Sequence, residues 1–455
     1  MPLEIKCNAQ TQSVTMLNKT IVVNIIGAGL AGCEASLYLS KMGAKVNLYD
    51  MKPKQKTPAH KNDCFAEIVC SNSLKSKLPT TASGMLKGEL EIMGSKLLEI
   101  AKENAVDAGG ALAVDREKFS EQVTNLIRSD KNINVISENV TNIDVSKPTI
   151  IATGPLTSKE LMTEIERISG VKSSFFFDAK APILSADSID MNFAFWGNRY
   201  DKGETDGDYL NCPMNKEEYE TFYDALIHAE TIELKEFEKN GKVFESCMPV
   251  EVMARRGADS LRYGPLKPVG LNDPRTGKRA YAVLQLRKEN REGTMLNMVG
   301  FQTNLKFGEQ KRVFGLIPAL KNAEFLQYGV MHRNSYVFAP LVLNGYLQIK
   351  IAPNVFVGGQ LSGVEGYVES IASGLLAAIN IFKYIKGENL LKLPQTTCLG
   401  GIINYITSYE GNNFQPMNAN FGVIACNQKL PKDKAEARKI MYDISMQEMK
   451  QIFKE

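Results

Sequence analysis

The chain opens, after a polar stretch, on a clean change of hydrophobic period. Ile21 to Ile26 is a short apolar run rich in β-branched residues and reads as a buried parallel strand. Gly27-Ala-Gly-Leu-Ala-Gly32 follows at once. Glu34 to Met42 carries helix-forming residues and closes on Gly43, a favourable C-terminal cap. Lys45 to Tyr49 is a second strand with Asp50 at its end, which completes one βαβ unit. Beyond a basic loop at 53–58, the pattern predicts a helix over Lys87 to Asn104 and another over Glu117 to Ile127. A strand then runs from Thr149 into a tight turn at Gly154 and Pro155.

From about Phe175 the regular alternation gives way to aromatic runs, a glycine-rich loop at 203–207, a helix from Lys216 to Ala229 and scattered strands. From about Val330 the first pattern resumes. Asn354 to Val357 is a strand, Gly358-Gly-Gln-Leu-Ser-Gly363 a second glycine-rich turn, and a small-residue helix runs through Ile381. The expected organisation is an N-terminal extension (1–19), a nucleotide-binding region in two parts (20–174 and 330–430) around an inserted α+β domain (175–329), and a charged helical tail (431–455). No internal repeat of fixed period is present.

Composition narrows the class. At 44% hydrophobic and 23% charged residues the chain is an ordinary globular protein, and 455 residues predict two or three domains. A net charge of +3 excludes a uniformly basic protein while leaving room for a local nucleic-acid patch. No run of about 18 apolar residues predicts a membrane span. The N-terminus lacks the apolar core of a secretory signal, and Met16 would be a plausible start. Eight dispersed cysteines with no Cys-x-x-Cys pair read as reduced thiols of a cytoplasmic protein, and with three histidines no metal site is expected.

The glycine loop carries the first chemistry. Gly27, Gly29 and Gly32 have the dinucleotide-binding spacing, between a strand and a helix, with an acid about twenty residues further on. Gly27 permits the tight turn, Gly29 lets the backbone approach a pyrophosphate, and Gly32 lets helix and strand pack closely. Ala28, Leu30 and Ala31 complete the loop, and the helix N-terminus faces the phosphates. Asp50 would accept hydrogen bonds from ribose hydroxyls. FAD is favoured over NAD by Ala152-Thr-Gly154 after a β-rich run and by the late strand ending in Gly358-Gly359, whose following helix would sit over the flavin ring. With no second Gly-x-Gly-x-x-Gly, NAD(P)H would have to dock in the substrate cleft.

With these residues in hand, the chain resembles the folate- and FAD-dependent RNA uracil-5-methyltransferases of TrmFO type, distant relatives of the GidA flavoproteins. The resemblance runs from about Ile21 to about Asn427. It rests on Thr57-Pro-Ala-His60, Glu67-Ile-Val-Cys-Ser-Asn-Ser73, the run from Ala108 to Arg116, and Arg199 to Gly203. It continues through Cys247-Met-Pro-Val-Glu-Val-Met-Ala254, Val299 to Thr303, Gly329-Val-Met-His-Arg-Asn334, Gly363-Val-Glu-Gly-Tyr-Val-Glu-Ser370 and Asn413 to Asn420. It implies an α/β, Rossmann-type FAD-binding fold with an inserted α+β domain. It also implies methylation of a uridine at carbon 5 in structured RNA, with methylenetetrahydrofolate as carbon donor, reduced FAD as hydride donor and NAD(P)H as reductant. The T-loop uridine of tRNA is the expected target. A uridine of large-subunit ribosomal RNA and GidA-like wobble-uridine modification are the alternatives, although the tail is short for the helical C-terminal domain of the latter. The 203–208 loop looks slightly longer than usual, and Cys33 stands where serine is commoner.

The resemblance implies that one of Cys70 and Cys247 attacks uracil as a thiolate while the other lies on the flavin side, and Cys247 is favoured as the nucleophile with Cys70 beside the flavin. Cys33, Cys64, Cys212, Cys398 and Cys426 are left to packing. His332 would stack on a pterin, with Arg287 and Asn334 as further folate contacts. Gln360, Glu365 and Gly366 would border the flavin beside Gly154 and Gly359. Between Arg255 and Arg291, ten basic residues face three acids, a local charge of +7, and Arg255, Arg256, Lys278 and Arg279 are the expected RNA contacts. Lys52, Lys54, Lys56 and Lys61 would add a basic loop beside the cofactor. The protein is expected to be a monomer or homodimer.

Overall fold

The computed structural model describes residues 20–57, 59–201, 207–232, 242–243, 248–411 and 414–453, with the backbone alone at 174–179, 201, 242–243, 332 and 333. The strand Val22–Ile26 pairs in parallel with Lys45–Asp50 on one side and Thr149–Ile151 on the other. Ile133–Ser137 and Ala352–Val357 extend the sheet in parallel, and Gln348–Ile349 closes one edge antiparallel. In chain order the five parallel strands lie third, second, first, fourth, fifth. The order reverses between the first and the fourth, and the crevice at that point is where such sheets bind ligands.

The first helix, Leu30–Lys41, starts earlier than its pattern predicts. Gly29 is its N-cap, and the Cys33 N–H donates to the Gly29 carbonyl at 2.9 Å. The glycine loop supplies the first helical turn, and glycine's poor helix propensity hides that turn from a sequence reading. The expected helix over Lys87 to Asn104 is two helices, Ala82–Met93 and Lys96–Glu103. Gly94 turns left-handed at φ 75°, and Ser95 caps the second helix by accepting from Leu98 N–H at 3.3 Å. Apolar spacing continues across this break, which is why the pattern reads as one element. The next helix is Arg116–Ser129, capped by Asp115.

Tyr367–Lys386 is long and apolar enough to cross a bilayer, but most of it is buried within the protein. It packs on the first helix so closely that a Cβ at Gly374 would lie 2.4 Å from the Ala31 carbonyl oxygen. The C-terminal helix Lys434–Ile452 buries Met441, Met446 and Met449 in the same core. It is therefore a docked element of the nucleotide-binding region rather than a free tail.

Residues 183–327 form a second, wholly antiparallel sheet ordered Phe195–Gly197, Tyr209–Met214, Ala282–Lys288, Met295–Met298, Ile183–Ser185 and Phe325–Gln327. It has its own apolar core around Phe222, Phe301 and Phe314. The antiparallel pair Ser174–Ala179 and Met331–Tyr336 carries the chain out of the first region and back.

Candidate functional site

The glycine loop is shaped for a close ligand. A Cβ at Gly27 would lie 2.6 Å from the Ala152 carbonyl oxygen, and one at Gly32 would lie 1.8 Å from that of Gly27. A Cβ at Gly29 would meet nothing nearer than 4.0 Å, so its open side faces the cleft. Asp50 accepts from the N–H groups of Ala28 and Lys52, both at 2.9 Å, which fixes its carboxylate at the mouth of the loop with lone pairs to spare. A cavity of about 660 Å³ opens here, lined by Gly27, Ala28, Gly29, Asp50, Thr153 and Val140 among others. Leu30, Ala31 and Gly32 back it as the buried first turn of the helix. Open backbone at a helix N-terminus beside a fixed acid fits the pyrophosphate and ribose of a dinucleotide.

Leu156 also borders a second chamber of about 980 Å³. Its walls include Cys70, Lys75, Lys180, Asn334, Gln360, Glu365, Gly366 and Tyr367. Cys70 is half-buried, its N–H donates to the Tyr367 hydroxyl at 2.7 Å, and its carbonyl accepts from Arg116 at 3.1 Å. The cysteine loop is thereby tied to the N-terminus of the long helix. Gln360 donates to Glu365, and Gly359 N–H donates to Ser373 at 2.9 Å. Glu365 precedes the helix, and the acid of the first helical turn is Glu369. Glu369 accepts from Lys75 Nζ at 3.1 Å and from Ala419 N–H at 2.9 Å. Lys75 holds a left-handed backbone at φ 63°, a strained conformation retained where the side chain meets this carboxylate.

A third chamber, about 670 Å³, shares Ala59, Val69 and Lys180 with the second. Arg116 pairs there with the fully buried Glu289 at 2.5 Å, and Lys61 reaches Gln327 at 2.6 Å. Burial pushes the Lys180 amine down to about 8, with Cys70 opposing the shift and Arg116 and Lys61 adding to it.

Several expected site residues converge on this cleft: Gly27, Ala28, Gly29 and Asp50 in the first chamber, and Cys70, Asn334, Gln360, Glu365 and Gly366 in the second. Gly154 sits at φ 68° in the turn between the two. Arg287 is buried and donates to Asn72 at 3.1 Å and Ser71 at 2.8 Å, so two of its donors are committed to the loop after Cys70. Cys247 lies outside the described residues. The backbone of His332 pairs with Asp178 at the cleft, and its side chain is not among those described.

The basic residues need correction. Lys52 is buried against Glu67 and Cys64 rather than exposed in a basic loop. Within the 255–291 stretch Arg262, Arg275 and Lys288 pair with Asp259, Asp273 and Asp107. Arg255, Arg256, Lys278 and Arg279 are exposed. Cys33 and Cys398 are buried thiols that burial pushes far up, and Cys212 is pushed up to about 12. Cys64 and Cys426 are half-buried. Lys180, Arg116, Tyr367 and Glu369 were missed as site residues. The motifs quoted above hold Arg116, Tyr367 and Glu369 without marking a role for them, and Lys180 lies in none of them.

A parallel sheet with its glycine loop at the switch point, a second glycine turn after the last parallel strand and an adjoining cysteine chamber define a Rossmann-type flavoprotein. Residues 22–389 match the family model described as glucose inhibited division protein A, GIDA. The methylenetetrahydrofolate–tRNA-(uracil-5-)-methyltransferase TrmFO of Caldicellulosiruptor bescii is 55% identical over 418 residues, 92% of this chain and 95% of that one. A Bacillus cereus protein of the same name is 53% identical over 417 residues, with the same coverage. Among solved structures, GidA of Aquifex aeolicus in its form II crystal superposes with a TM-score of 0.69 at 15% identity, over 97% of this chain and 74% of that one. The chain belongs to the GidA family, in its TrmFO-type branch.

Proposed function

We propose that the protein methylates carbon 5 of a uridine in tRNA, the T-loop uridine being the target, and that it works in the cytoplasm. The observation that carries this reading is that the Cys70 chamber borders the dinucleotide cavity, the two sharing Leu156 as a wall. The 53–55% identity to proteins named for this reaction supports it. When bound, reduced FAD supplies the hydride, methylenetetrahydrofolate the carbon, and NAD(P)H restores the reduced flavin. The backbone N–H groups of the glycine loop hold the pyrophosphate, and Asp50 accepts from the ribose. Gln360, Glu365 and Gly366 border the ring. His332, Asn334 and the uncommitted donors of Arg287 would contact the folate. A thiolate added at carbon 6 makes uracil carbon 5 nucleophilic, the role of Cys247, while Cys70 lies on the flavin side. Arg255, Arg256, Lys278 and Arg279 meet RNA phosphates. The ribosomal-RNA and wobble-uridine alternatives gain no support from the named relatives.

The test is product mapping. The purified protein is incubated with methylenetetrahydrofolate, NADPH and unmodified tRNA and ribosomal RNA, and 5-methyluridine is located by mass spectrometry of RNase fragments. Product in the tRNA T-loop is the expected result. Product only in ribosomal RNA would replace the substrate, and none in either would overturn the reaction.

A further inference from the structure

The third chamber holds a buried acceptor that the fold leaves unpaired and a buried donor with a single long hydrogen bond. Glu289 is completely buried. Its Oε2 accepts from Arg116 Nε at 2.8 Å, while its Oε1, equally buried, has no hydrogen-bond partner. Arg116 cannot turn to satisfy it, because its other nitrogens donate to the carbonyls of Ile68 at 3.2 Å and Cys70 at 3.1 Å. Across the chamber Lys180 is 4% exposed. Among the described residues its ammonium has one acceptor, the Ala59 carbonyl at 3.4 Å, and no carboxylate within 4.0 Å. A buried acceptor and a buried donor without adequate partners are each unfavourable unless a ligand completes them. Ile68, Val69 and Ile183 supply apolar wall, as suits the faces of a flat ring, beside the polar Lys61, Asn62 and Glu67, whose Oε2 is likewise buried without a hydrogen-bond partner.

We propose that this chamber reads the target base as uracil, Glu289 Oε1 accepting from the ring N3–H and Lys180 donating to the adjacent carbonyl oxygen. The inference rests on the proposed uridine methylation and names the recognition group it needs. The chamber adjoins the cysteine chamber through Lys180 and Val69, so a base seated here lies next to Cys70. Cytosine in the same pose would turn an N3 lone pair to the carboxylate and an amino group to the ammonium. Both contacts are repulsive, and a site built on hydrogen bonds rejects such an analogue strongly. Burial of Lys180, which holds its amine at about 8, makes the charge sensitive to mildly alkaline pH.

The experiment uses the FAD-loaded full chain and two T-stem-loop RNAs that differ only in uridine or cytidine at the target position. Failure of the wild type to methylate the uridine RNA would overturn the function and this inference with it. Given wild-type product, Glu289→Gln is the decisive variant. Its amide oxygen faces Arg116, so its NH₂ stands where Oε1 was and opposes the uracil N3–H. Expected are a fall in kcat/KM for uridine of at least ~100-fold and loss of the uridine-over-cytidine binding preference, with the flavin spectrum unchanged. An unchanged preference would overturn the proposal. If the variant loses its flavin, the decision passes to the wild type with 3-methyluridine at the target. No product is expected from it, and product at the uridine rate would overturn the proposal.

Discussion

At the residue scale, the glycine loop separates two kinds of glycine by what a methyl group would meet. At Gly32 it would strike the Gly27 carbonyl at 1.8 Å, so the strand and helix must move apart. At Gly29 it would meet no protein atom nearer than 4.0 Å, on an unstrained backbone at φ −77°. Gly29→Ala is therefore expected to melt within about 2 °C of the wild type while binding FAD at least tenfold more weakly, because the methyl occupies the phosphate's approach. Gly32→Ala is expected to lose flavin and at least ~5 °C in Tm. Thermal melts read beside flavin fluorescence check both, and a Gly29→Ala protein with normal flavin affinity would remove the pyrophosphate from this loop. These glycines were legible in the sequence because strand, spacing and acid are local. Lys180, Arg116 and Glu289 were not, since their meaning arises only when residues separated by more than sixty positions share one buried space.

At the scale of elements, the βαβ unit is legible in the sequence and the joints between elements are not. The break at Gly94 and Ser95 is invisible to hydrophobic period, and so is a buried carboxylate that adds to the apolar docking of the C-terminal helix. Glu89 accepts from Cys398 N–H at 2.5 Å, Leu399 N–H at 2.9 Å and Ser445 Oγ at 2.6 Å, joining Ala82–Met93 to two later helices. Burial outweighs these donors and pushes its acid up to about 7 from 4.5. The native state thus holds this proton more tightly than the unfolded chain. Its stabilising share is complete below pH 4.5 and is lost as pH rises to about 7. Glu34, also pushed up to about 7, adds a slope of the same sign. Glu89→Gln cannot titrate, so its denaturant midpoint should fall less steeply across that window than the wild-type midpoint. Parallel profiles would show that Glu89 keeps its charge when folded.

For the whole molecule, the question is where a net charge of only +3 leaves enough positive surface to hold RNA. The +7 count for residues 255–291 already subtracts Asp259 and Asp273, and it still overstates that surface, because Lys288 pairs with Asp107 outside the stretch and Arg287 is buried. Arg262 lies over Tyr281 at 3.7 Å and pairs with Asp259, Arg275 is fastened to Asp273, Lys288 to Asp107, and Arg287 is buried in the cleft. Asp259 and Asp273 stand beside Arg262 and Arg275 in the sequence, but the pairing of Lys288 with Asp107 of the first region and the burial of Arg287 cannot be read there. Lys278 and Arg279 remain exposed at the turn where Asp273 and Lys278 bridge. If both meet phosphates, the double substitution Lys278→Ala/Arg279→Ala should weaken binding to every tRNA alike. It should also flatten the plot of log affinity against log salt by about 1.4–1.8, two counterions' worth. Lys386→Ala, at the end of the long helix, removes one charge away from the cleft and should leave that slope unchanged. Fluorescence anisotropy of a labelled tRNA across a salt series decides the matter: equal slopes for the double variant and the wild type would move the RNA to another face of the molecule.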